Sequence, residues 1–132
     1  MKSSMIWANY SVKDANRSRE FYSKLGFTPN GPNNEAELAS FKFGNNNFVI
    51  HFFQEGPKIG EYLSAWTNTN NEIMFTLSAN SKEEVLELAN KVKESCGTII
   101  KEPNTDEQGY YGFIFADPDG HKFNVLLMKE GM

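Results

Sequence analysis

The chain has 132 residues, of which 39% are hydrophobic and 14% aromatic, with 11 phenylalanines. That is enough apolar material for a packed core, so a disordered chain is excluded, and the length suits one domain. The formal net charge of -4 and the lack of a Lys/Arg cluster argue against nucleic acid or an anionic membrane as partner.

In chain order, Met5 to Val12 has β-forming and aromatic residues and is read as a strand. Asp14 suits the N-cap of a helix in which Ala15, Ser18, Phe21, Tyr22 and Leu25 recur at helical spacing, and Gly26 ends it. Phe27 to Gly31 is a short, polar candidate for a further strand. Leu38 to Phe43 and Asn47 to Gln54 read as two strands joined at Gly44-Asn45-Asn46. Glu55 to Asn71 carries Ile59, Tyr62, Leu63 and Trp66 among glycines and asparagines. So long a loop is uncommon in a small domain unless it has a role. The expectation is that Trp66 and its neighbours cover a cavity mouth or a partner subunit.

The second half repeats the order. Glu72 to Ser78 is a strand, and Ser81-Lys82-Glu83-Glu84 fits a capping box. Val85, Leu88, Ala89, Val92 and Cys96 form an apolar helical stripe, stopped by Gly97. On that stripe Cys96 is expected to be a small buried hydrophobe. Thr98 to Lys101, Tyr110 to Ala116 and Lys122 to Met128 read as strands, with a tight turn at Asp117-Pro118-Asp119-Gly120. His121 follows that turn and is expected to be exposed and without a role. The single cysteine cannot form an internal disulfide, Met1 to Asp14 has no apolar run long enough for a signal peptide, and no stretch is long and apolar enough to span a bilayer. A cytoplasmic location is therefore expected.

Two motifs frame the chain. Val12-Lys13-Asp14 followed by Ser18-Arg19-Glu20-Phe21-Tyr22-Ser23-Lys24-Leu25-Gly26-Phe27 resembles the opening signature of the vicinal oxygen chelate superfamily, the glyoxalase and bleomycin-resistance group. Phe115-Ala116-Asp117-Pro118-Asp119-Gly120-His121-Lys122-Phe123 is similar to the family's closing strand-turn-strand. The resemblance implies an α+β fold of paired β-α-β-β-β modules, residues 5–54 and 72–128, whose strands form a curled half-barrel sheet around a cavity. It also implies a homodimer and, in family enzymes, a divalent metal such as Zn, Ni, Mn or Fe.

The family's ligand positions fall here on Trp7, His51, Glu72 and Asn124. An indole nitrogen only donates, and an amide is a weak neutral ligand, which leaves His51 and Glu72 as the donors able to hold a metal. His51 reads first as a buried imidazole satisfied by Glu72 or Asn124, ahead of metal ligation. Glu72 reads either as a solvent-facing strand-end carboxylate or as a general base in the cavity. Trp7 and Phe53 are read as pocket walls or core. Alternation along the same strands would turn Asn9, Met74, Thr76 and Leu126 inward beside them.

Three functions follow in order. The first is capture of a small molecule in an aromatic-lined cavity without a catalytic metal or other cofactor. The second is a divergent metal-dependent lyase or isomerase, lactoylglutathione lyase-like, using His51 and Glu72. The third is an interaction module whose cavity is filled by its own side chains.

Overall fold

A computed structural model describes residues 1–56 and 73–129. Contacts divide the chain into two compact units, Met1–Thr69 and Asn70–Met132.

In the first unit, β1 (Trp7–Val12) leads into α1 (Ala15–Leu25), followed by β2 (Thr28–Pro29), β3 (Leu38–Phe43) and β4 (Phe48–Gln54). Asp14 caps α1 as expected, its Oδ1 accepting from the Asn16 and Arg17 N–H groups at 2.9 and 3.2 Å. Gly26 ends the helix at φ 95°, a conformation that costs a residue with a Cβ. The strands form a mixed sheet in the order β1-β4-β3-β2, with β1 parallel to β4. One face of this sheet packs on α1. Tyr22 is fully buried there, stacked on Phe52 at 4.4 Å and tilted against Phe41 at 5.7 Å. The candidate strand at Phe27 to Gly31 is thus present as two residues paired with β3.

The second unit repeats the plan with β5 (Phe75–Ala79), α2 (Lys82–Glu94), β6 (Thr98–Thr105), β7 (Tyr111–Ala116) and β8 (Lys122–Leu127). Its sheet order is β5-β8-β7-β6, with β5 parallel to β8. Ser81 caps α2 through Oγ, which accepts from the Glu84 N–H at 3.1 Å. Phe113, Phe115, Phe123 and Val125 are buried on the sheet, and Val85, Ala89 and Val92 on α2. β6 runs four residues past its expected end at Lys101, through two irregularities in its pairing with β7.

Two sequence expectations are corrected. Cys96 is exposed, because α2 stops at Glu94 and Cys96 itself adopts φ 65° beyond the helix, leaving the apolar stripe. His121 is buried, because its Nδ1 lies 2.8 Å from Oδ2 of the buried Asp117. A carboxylate only accepts, so Nδ1 carries the proton of that bond. Asp117 Oδ1 also accepts from the Asp119 and His121 N–H groups, each at 2.9 Å. The Asp-Pro-Asp-Gly turn is therefore fastened from inside.

Candidate functional site

Strand alternation gives each sheet a second face, turned away from its helix. On the first sheet, Asn9, His51 and Ser40 stand in one row across β1, β4 and β3. Trp7, Val49 and Lys42 form the row on one side of it, and Ser11, Phe53 and Leu38 the row on the other. The expected residues Trp7, Asn9, His51 and Phe53 thus share one face. The His51 and Phe53 rings meet edge-on with centroids 5.6 Å apart.

Ser40 is satisfied locally, since its Oγ accepts from Asn30 Nδ2 at 3.0 Å and its N–H donates to Asn33 Oδ1 at 2.8 Å. His51 is not: its Nδ1 is buried and has no hydrogen-bond partner among the described residues. Of the expected partners, Asn124 belongs to the second unit and Glu72 lies outside the described residues. Burial holds the His51 imidazole below its ordinary range, opposed by the negative charge of Glu35. Arg19 keeps Glu35 in place by donating to the carbonyls of Glu35 and, at 2.8 Å, of Leu38.

On the second sheet, Thr76, Asn124 and Ile114 form one row, with Ser78, Leu126 and Gly112 beside it. Asn124 Nδ2 donates to Thr76 Oγ1 at 3.4 Å. Asn124 and Leu126 line a small cavity of about 40 Å³ together with Lys101, Asn104, Tyr110 and Ile114. Sites for drug-sized ligands enclose roughly 300–1,000 Å³, so this one takes a functional group rather than a whole molecule. Met74 precedes β5 and is exposed. Trp66 and the loop expected to cover a site lie outside the described residues.

Sequence reasoning missed Ser11, Glu35 and Glu55 in the first unit and Lys101, Asn104 and Tyr110 in the second. Ser11 was within reach, being two residues beyond Asn9 on the same strand. Glu35 carried no signal, since a loop anchored by Arg19 brings it near His51.

The metal that the resemblance implies is poorly served by these residues. Of the four ligand positions, Trp7, His51 and Asn124 are described, and they offer one indole, one imidazole and one amide. An indole has no lone pair to give, and catalytic zinc sites ordinarily use three protein ligands. Among the described residues no three His, Cys, Asp or Glu side chains gather as a metal site would need.

The paired units and the faces they turn from their helices define a protein of the paired β-α-β-β-β class. The chain belongs to the Glyoxalase/Bleomycin resistance protein/Dioxygenase superfamily, whose family model matches residues 4–125. The structure is similar to that of hypothetical protein SA1046 from S. aureus, with a TM-score of 0.82 at 33% identity, covering 97% of this chain and 96% of that one. A glyoxalase-related enzyme from Fulvimarina pelagi superposes with a TM-score of 0.76 at 15% identity, over 96% of this chain and 89% of that one. A glyoxalase/bleomycin resistance protein/dioxygenase family enzyme from Burkholderia phytofirmans PsJN gives 0.75 at 18% identity, over 93% and 97%. At those lower identities the likeness is one of fold. No curated protein matches the chain significantly. Among the described residues no helix is long and apolar enough to cross a membrane.

Proposed function

We propose that this protein binds a small molecule on the helix-averted face of its first sheet, at Trp7, Asn9, His51 and Phe53, without a catalytic metal. The observation that carries the reading is the buried Nδ1 of His51, which has no hydrogen-bond partner among the described residues. Leaving such an atom unmet costs about 1–3 kcal/mol, and native proteins keep few of them outside functional positions. A ligand hydroxyl, carbonyl or amine bonded to Nδ1 removes that cost. The imidazole is held neutral by burial, so it offers a hydrogen bond rather than a fixed charge. Trp7 and Phe53 supply apolar surface on either side of the Asn9–His51 row. Thr76, Asn124 and Leu126 form a second, more polar patch that takes a functional group of a ligand.

In this reading Glu72 is not a general base, and no bond in the ligand is broken. The protein works in the cytoplasm as a homodimer, for which sedimentation should give about twice the 15.0 kDa chain mass. A thermal-shift screen against aromatic and amphipathic fragments tests binding, repeated on His51→Phe and Trp7→Ala variants. Hits that stabilise the wild type and lose their effect in the variants are expected. Elemental analysis of the mildly purified protein tests the second half. A divalent metal near one equivalent, lost in His51→Ala, would overturn the reading in favour of the lyase or isomerase.

A further inference from the structure

His51 is not alone on its face. Ser11 Oγ and Glu55 Oε1 are also buried and without a hydrogen-bond partner among the described residues. Ser11 is 5% exposed and sits on β1 opposite Phe53 of β4. Glu55 follows β4 directly, and its N–H donates to the Val12 carbonyl at 2.8 Å, which continues the ladder between the two strands. Alternation sets His51 and Phe53 in one file on β4, with Ser11 beside Phe53, and Glu55 is the next residue of that parity just past the strand's end. At a rise of about 3.3 Å per residue, His51 and Glu55 mark the two ends of a stretch of roughly 13 Å, with Ser11 and Phe53 at its middle.

The chemistry of this file is one-sided. A carboxylate only accepts, and a hydroxyl and a neutral imidazole can each accept. A second carboxylate, Glu35, acts on His51 electrostatically. Among the strand residues of this face the one cation is Lys42, in the row of Trp7 and Val49, on the far side of His51 from Ser11 and Glu55. An anionic ligand at the Ser11–Glu55 end would meet like charge from Glu55. A ligand rich in N–H donors meets three acceptors along the Phe53 side chain, and cations favour aromatic faces within about 6 Å.

Resting on the binding reading above, we propose that the ligand is a small organic cation. It carries an ammonium or amidinium group held by Glu55 and Ser11, an apolar or aromatic body laid over Phe53 toward Trp7, and a hydrogen-bonding group that reaches His51. The reading commits Glu55 to charge recognition, Ser11 and His51 to direction, and Phe53 to the desolvated wall beside the charge.

The probes are phenethylammonium, 2-phenylethanol and phenylacetate, which share one ring and differ in charge. Each is titrated calorimetrically into the full chain and into Glu55→Gln and Ser11→Ala variants, with circular dichroism confirming that both variants fold. The cation is expected to bind about tenfold or more tighter than the alcohol or the acid, since hydrogen bonds to charged groups are the strong ones. Glu55→Gln should remove about that factor for the cation and leave the alcohol unchanged. Ser11→Ala should weaken the cation by a smaller factor. Equal binding of all three probes, tighter binding of phenylacetate, or an unchanged cation affinity in Glu55→Gln would overturn the cation assignment. Fragment hits sensitive to His51→Phe would in that case leave the binding site standing. Failure of all three probes, with no His51-dependent fragment hit, would remove both.

Discussion

Replacing Asp117 by alanine removes the acceptor at the centre of the β7–β8 turn. The carboxylate accepts from the Asp119 N–H, the His121 N–H and His121 Nδ1, at 2.9, 2.9 and 2.8 Å, and Asp117 and His121 are both buried. The alanine leaves an imidazole and two backbone donors without their partner, in a place water reaches poorly. Each buried donor left unmet costs about 1–3 kcal/mol, and three lose their acceptor here, so a loss of about 4 kcal/mol is expected. Unfolding entropy near ~2.1 cal/mol/K per residue gives about 0.28 kcal/mol/K for a chain of 132 residues. A loss of about 4 kcal/mol therefore lowers Tm by about 14 °C. Asp117→Asn keeps one carbonyl oxygen as acceptor and should fall between wild type and alanine. Scanning calorimetry of the three proteins at one pH is the assay. A Tm within about 3 °C of wild type for Asp117→Ala would refute the view that the turn is fastened from inside.

The His51 imidazole is held below its ordinary range, so the unfolded chain takes up its proton first as pH falls. Stability contributed by neutral His51 is complete above about pH 6.5 and is lost as pH drops from there toward the folded value. His51→Gln should flatten that part of the Tm–pH curve, and parallel curves for the two proteins would contradict it. Ser81→Ala removes the cap of α2 and should cost about 1 kcal/mol in urea unfolding, with the m-value unchanged. A Cβ added at Gly112 would stand 2.0 Å from the Val125 carbonyl oxygen, which as backbone cannot easily move aside. Gly112→Ala should therefore cost about 3 kcal/mol or more, and a change under about 0.5 kcal/mol would mean that β8 gives way freely.

The sequence by itself determined the element order, the N-caps of both helices and the fold class. These rest on local physics: an Asp or Ser ahead of helical spacing, aromatic and β-branched runs broken by glycine turns, and a motif confined to one strand and one helix. Period-two alternation also set Trp7, Asn9, His51 and Phe53 on one face, because the register of β1 and β4 is fixed by the core residues Ile50 and Phe52 behind them. Tertiary structure decided the rest. His121 is buried because a carboxylate four residues earlier folds back onto it, which no hydropathy pattern reports. Cys96 leaves the apolar stripe because the backbone turns left-handed at that residue rather than at the glycine after it. Glu35 joins His51 because an arginine on the helix anchors a loop sixteen residues away in sequence. Whether a polar atom on a strand is satisfied depends on partners from other strands and loops. Ser40 finds Asn30 and Asn33 while Ser11 Oγ and His51 Nδ1 find no partner among the described residues, and only the assembled sheet makes that distinction.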